Sequence, residues 1–89
     1  MWYTYIVECK DGTYYTGITT DIDRRIAQHN SGKGSKYVKR HGGVPVTLRY
    51  IEEQPNRSEA SKRECAIKKL TRKEKEKLIN DHGTILRTV

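Results

Sequence analysis

The chain reads as a small α+β domain, a three-stranded antiparallel sheet flanked by helices in the order β-β-α-β-α-α. Three observations predict it. Two stretches rich in aromatic and β-branched residues stand either side of an Asp-Gly pair. A third such stretch, Val46 to Glu53, alternates apolar with polar positions. Helix-start patterns open at Thr20, Asn56 and Thr71. Eighty-nine residues hold one domain with one modest core, expected over positions 1–80, with 81–89 a frayed tail.

The first strand is expected over Trp2 to Cys9 and the second over Thr13 to Thr19. Between them lies Lys10-Asp11-Gly12, where the glycine accepts positive φ without steric cost. A three-residue loop sets Cys9 opposite Thr13, Val7 opposite Tyr15 and Tyr5 opposite Gly17, which makes Tyr5 and Tyr15 diagonal neighbours on one face. A two-residue loop would send the two tyrosines to opposite faces. The longer loop is the expectation.

The first helix is expected to start at Thr20-Asp21-Ile22-Asp23, capped by Thr20, and to end near Asn30-Ser31-Gly32, with Gly32 left-handed. Ile22 and Ile26, four apart, should face the sheet, and Arg25 and His29, also four apart, form the neighbouring stripe. The connector from Gly32 to Gly43 is basic and glycine-rich, with a short helical turn expected around Lys36 to His41. Its glycine spacing rules out a Walker loop. In the third strand Val46, Leu48 and Tyr50 alternate with Thr47, Arg49 and Ile51, and Pro45 suits its start.

Asn56 and Glu59 form a cap pattern for the second helix, where Ala60, Glu64 and Ile67 fall on one inward stripe. A carboxylate on such a stripe needs a positive partner, because losing its hydration costs roughly several kcal/mol. An arginine ion pair is one candidate, and a divalent cation completed by water and phosphate oxygens is the other. Thr71 to Glu74 is a capping box for a short charged helix to about Asn80, anchored by Leu78 and Ile79.

Lys and Arg number 18 against 11 Asp and Glu, for a net charge of +7. The charge is concentrated. Arg24 to Arg49 holds seven basic residues and no acid, and Ser61 to Lys77 holds eight against three acids. An anionic partner such as nucleic acid fits this distribution, with Arg24, Lys33, Lys36, Lys39 and Arg40 on phosphates and Tyr37 available for stacking. A flexible linker is the alternative for the connector. Cys9 and Cys65 are isolated, as free thiols of a reducing compartment are. The N-terminus shows neither signal peptide nor membrane span, so a cytosolic protein is expected. No serine or cysteine has a matched base, and His29 and His41 lack an adjacent thiol or metal pair, which argues against acyl transfer and zinc hydrolysis.

Tyr3-Thr4-Tyr5, Tyr15-Thr16-Gly17, Arg25 ten residues after the second tyrosine, His29 one turn later, and Ala60 with Glu64 resemble the GIY-YIG nuclease superfamily, most closely its small single-domain bacterial members. The resemblance runs from Tyr3 to about Leu70. Neither triad is spelled literally, and Ile18 stands where some members carry a lysine. It implies a metal-dependent endonuclease hydrolysing DNA phosphodiesters, with Tyr5, Tyr15, Arg25, His29 and Glu64 catalytic and Mg²⁺ or Mn²⁺ held at Glu64. Arg25 would bind charge on the equatorial phosphate oxygens, and Tyr5 or Tyr15 would activate water. A free tyrosine has a pKa of about 10, so a nearby cation must lower it or another group must take the proton. His29 is either that acid-base group or a phosphate donor. Gly17 either relieves strand crowding or admits the substrate backbone. Tyr3, Tyr14 and Tyr50 are assigned to packing.

Targeting is expected to come from a partner protein, an oligomer, or a branched or damaged DNA structure. A non-catalytic nucleic-acid-binding module on the same scaffold is the alternative function, and a protein-interaction domain is a third.

Overall fold

A computed structural model describes residues 1–31 and 43–83, with the backbone alone at 82 and 83. The elements are β1 (Trp2–Glu8), β2 (Tyr14–Thr19), α1 (Ile22–Asn30), β3 (Thr47–Gln54), α2 (Arg57–Lys68) and α3 (Arg72–Leu78), followed by a π-helical turn at Ile79–Gly83. The sheet is antiparallel, with β1 between β2 and β3. This is the expected α+β architecture.

The longer hairpin loop forms. Val7 pairs with Tyr15 and Tyr5 with Gly17. The Cys9 N–H donates to the Thr13 carbonyl at 2.8 Å, and Gly12 takes φ +89° at the turn. Asp11 braces the loop by accepting from the Thr13 amide at 3.0 Å and from its hydroxyl at 2.7 Å, a local alternative to ladder bonding open to short acidic side chains.

Two apolar layers cover the sheet. On one face Tyr5, Val7, Cys9 and Val46 are buried, with Ile22 and Ile26 of α1 packed against them beside Tyr15, Leu48 and Ile51. On the other, Ile6, Tyr50 and Ile67 are buried against Tyr14, Leu78 and Ile79. Burying a side chain such as Ile6 or Ile67 contributes about 1.5–3 kcal/mol, so α2 and the turn after α3 are held by the second layer. A buried Thr4 hydroxyl adds a bond to the Ala60 carbonyl at 3.1 Å.

The structure corrects three local expectations. Tyr50 does not share a face with Val46 and Leu48. Ile6 pairs with Tyr50 and Val7 with Leu48, so Arg49 is an extra residue, a β-bulge that reverses the facing of the strand beyond it. The first helix is capped by Asp21, whose carboxylate accepts from the Arg24 amide at 3.1 Å, and not by Thr20. A cap must directly precede the first helical residue, here Ile22. The same helix closes on Ser31 in a right-handed conformation; Gly32 and the turn expected around Lys36 to His41 lie outside the described residues. The last helix, expected to about Asn80, stops as an α-helix at Leu78 and gives way to the π-helical turn Ile79–Gly83; positions 84–89 lie outside the described residues.

The remaining caps form as read. Asn56 accepts from the Glu59 amide at 2.9 Å, and Thr71 and Glu74 exchange both capping-box bonds. Cys9 and Cys65 are both free, Cys9 buried and Cys65 exposed. Among the described residues no helix is long and apolar enough to cross a membrane.

Candidate active site

Tyr5 lies in the middle of the central strand, pointing into the α1 face, and is fully buried. Its ring crosses above Gly17 on the neighbouring strand. A Cβ at position 17 would sit 2.6 Å from the Tyr5 hydroxyl and 2.8 Å from the carbon that bears it, so the glycine exists to admit this phenol. Of the two readings of this glycine, relief of crowding is the one this geometry supports, the crowding groups being the Tyr5 and Tyr15 rings.

The helix brings the other groups. Arg25 and His29, one turn apart on α1, converge on the Tyr5 hydroxyl: the Arg25 Nε–H donates to it at 3.3 Å, and His29 Nε2 lies 3.0 Å from it. Tyr15 completes the cluster, its ring centroid 5.4 Å from His29 and 6.4 Å from Tyr5. Tyr5, Tyr15, Arg25 and His29 therefore meet as the sequence predicted. Gln28, which sequence reasoning missed, accepts from the Arg25 guanidinium at 3.2 Å and fixes its direction; its spacing of three from Arg25 on a helix was the available signal.

Electrostatics sets the protonation states. Burial raises the Tyr5 pKa to about 12, outweighing the Arg25 hydrogen bond and charge that favour the phenolate. Burial, reinforced by the Arg25 charge, lowers the His29 pKa to about 4. At neutral pH the site thus holds a neutral phenol, a neutral imidazole and a fixed guanidinium. Burial opposes the Arg25 charge, but Tyr5 and Tyr15 hydrogen bonds and attraction more than compensate, so its proton is held more firmly than usual. Arginine can only donate. The Tyr5 oxygen consequently accepts from Arg25, and its own proton is available to an unprotonated His29 Nε2.

Glu64 comes from α2, which packs against β1, β2 and β3. It is half-buried, and its charge is felt at Tyr5, where it adds to the upward push on the phenol. Its ion-pair partner is Lys68 at 3.4 Å and not an arginine. Arg63, its neighbour in sequence, is turned to Glu52 at 2.9 Å, the carboxylate that also accepts from Tyr50 and Gln54. Among the described residues no three His, Cys, Asp or Glu side chains converge on one point. A lone carboxylate does not suit a tightly held transition metal, but it suits magnesium, which keeps most of its waters and takes phosphate oxygens as further ligands. Arg24 is exposed beside Arg25. Lys33, Lys36, Tyr37, Lys39 and Arg40 lie outside the described residues.

Comparison with known proteins reaches well beyond these four residues, to nearly the whole chain. The GIY-YIG catalytic domain matches residues 1–78. The UPF0213 protein VNG_2274C of Halobacterium salinarum is 54% identical over 78 residues, covering 88% of this chain and 99% of that protein. The solution NMR structure of the UPF0213 protein BH0048 from Bacillus halodurans superposes with a TM-score of 0.59 at 48% identity, covering 93% of this chain and 87% of that one. The Enterococcus faecalis protein EF2693 gives the same TM-score at 46% identity, over 89% of this chain and 82% of its own. The shared pattern thus spans both layers of the fold and not the hairpin alone, and the chain belongs to the GIY-YIG family, among its small UPF0213 members.

Proposed function

We propose that this domain is a metal-dependent endonuclease that hydrolyses phosphodiester bonds in DNA, acting in the cytosol on a branched or damaged structure or on a site delivered by a partner protein. The observation that carries the reading is the hydrogen-bonded chain from Arg25 through the Tyr5 hydroxyl to His29 Nε2, with distances of 3.3 and 3.0 Å. Arg25 supplies a permanent positive charge where a phosphate's equatorial oxygens gain negative charge. Its half-buried position strengthens that interaction relative to water.

Tyr5 is not a phenolate at neutral pH, so it activates water only by passing its own proton on. Tyr5 is buried in the free protein, so substrate binding has to admit a water to its hydroxyl. As that water gives a proton to the Tyr5 oxygen, the Tyr5 proton moves to His29 Nε2 and the hydroxide oxygen bonds to phosphorus. The bond from phosphorus to the leaving oxygen breaks, the leaving alkoxide takes a proton from solvent, and His29 is left as imidazolium. The incoming phosphate's negative charge favours that cation, offsetting the Arg25 repulsion that holds His29 neutral in the free protein. Tyr15, edge-on to His29, keeps the imidazole oriented. When bound at Glu64, Mg²⁺ or Mn²⁺ supplies Lewis-acid stabilisation of the leaving oxygen.

One observation favours the non-catalytic alternative, a nucleic-acid-binding module: the wide gap between a phenol at about 12 and an imidazole at about 4 opposes proton transfer in the resting site. Incubation of the protein with supercoiled plasmid and with branched DNA in Mg²⁺ or Mn²⁺ separates the two. Cleavage that falls by at least about 100-fold in Arg25→Ala, and is lost in Glu64→Ala and Tyr5→Phe with DNA binding retained, supports the enzyme. Wild-type binding without cleavage on any of these substrates supports the module.

A further inference from the structure

Two guanidiniums are already committed, that of Arg25 to Tyr5 and Gln28 and that of Arg63, the neighbour of Glu64 in sequence, to Glu52. Glu64 is left with a lysine. The Lys68 ammonium stands 3.4 Å from Glu64 Oε2, long for a hydrogen bond, with its side chain about half exposed (53%) while that of Glu64 is 21% exposed. It is the only ion-pair partner of Glu64 among the described residues. An ammonium on a flexible stem, one helical turn away and open to solvent, is a weakly tethered charge that leaves at little cost.

We propose that Lys68 is the exchangeable counter-ion of the Glu64 carboxylate: it balances that charge in the free protein, and a divalent cation must displace it to bind. Metal uptake and Lys68 release are then one exchange. This gives the half-buried carboxylate a positive neighbour at all times, which an unpartnered carboxylate would lack. The proposal rests on the reading of Glu64 as the metal-binding residue.

The test is Mn²⁺ binding followed by calorimetry at low ionic strength, without nucleic acid, on the wild type, Lys68→Met, Glu64→Gln and the double variant. Lys68 is exposed, so its replacement should leave the fold intact, which circular dichroism checks. Removing the competing charge should tighten Mn²⁺ binding by about threefold to tenfold, an effect that added salt diminishes. The gain should vanish in the Glu64→Gln background. In parallel, the Lys68 ε-methylene NMR signals should shift on addition of Mg²⁺ to the wild type and stay in place in Glu64→Gln. Unchanged or weaker Mn²⁺ affinity in Lys68→Met, with binding still abolished by Glu64→Gln, would overturn the exchange and leave the metal site standing. Equal Mn²⁺ affinity in wild type and Glu64→Gln would remove the metal site and the exchange together, and no binding in either the wild type or Lys68→Met would overturn the exchange, since metal would then enter only with the substrate's phosphate.

Discussion

A single methyl group added at position 17 would enter space that the Tyr5 phenol already fills. The ring has no room to retreat, because it is fully buried and its hydroxyl is held by Arg25 and His29. Gly17→Ala is therefore expected to cost about 1–3 kcal/mol by overpacking, and to disturb the one hydroxyl on which the site converges. Urea denaturation gives the stability change, and the Arg25 and His29 side-chain NMR shifts give the displacement; a change under half a kcal/mol with unmoved shifts would contradict it. His29 makes a second prediction at this scale. Unfolded, an imidazole takes a proton below about 6.5, whereas the folded one resists until about 4. Between those values the unfolded chain binds more protons, so stability is complete above 6.5 and is lost as the pH falls toward 4, by about 2 kcal/mol between pH 7 and 4.5. The Glu74 carboxylate, held below its usual range by the backbone and hydroxyl of Thr71, adds loss in the same direction only once the pH falls below about 4.5. His29→Gln should flatten the pH dependence of the urea midpoint between 7 and 4.5 and leave the Glu74 part in place.

At the scale of elements, β3 shows how one residue decides what an entire strand contributes. With Arg49 bulged out, Leu48 faces α1 and Tyr50 faces α2, each opposite an apolar residue of β1. Deleting Arg49 removes the extra residue without altering either pairing, so the protein is expected to fold, losing the half-exposed ion pair to Glu8 at 2.8 Å, worth about 1 kcal/mol or less. Deleting Ile51 instead would shift regular pairing by one position and turn the remainder of the strand inside out. Thermal unfolding of the two deletion variants distinguishes these outcomes, and failure of the Arg49 deletion to fold would show that the bulge itself is required. Helix ends were more legible than this bulge. Asn56 and the Thr71–Glu74 box act as read, because a cap is settled within four residues of chain. Even there the choice between Thr20 and Asp21 turned on where the first helical residue falls, which the competing Thr19–Asp21 bonds help to set.

For the whole molecule, what was legible follows sequence distance. Tyr5, Tyr15, Arg25 and His29 lie within 25 consecutive residues, on a hairpin whose register its own loop dictates and on a helix whose turn pairs Arg25 with His29, so local rules sufficed to place the four together. The α+β order and the division of apolar residues between hairpin, strand and helices were determined in the same way, by periodicity and turn chemistry. Long-range packing decided the rest. The Arg49 bulge, the Asn30 side chain that accepts from the Val46 amide at 2.7 Å, and the alliance of Arg63 with Glu52 rather than Glu64 all join segments far apart in the chain. The cation beside Glu64 is local by contrast: Lys68 stands one turn on in the same helix. The protonation states belong with the long-range packing: a tyrosine at about 12 and a histidine at about 4 express how completely helix and sheet exclude water from between them, a property of packing that no short stretch of sequence encodes.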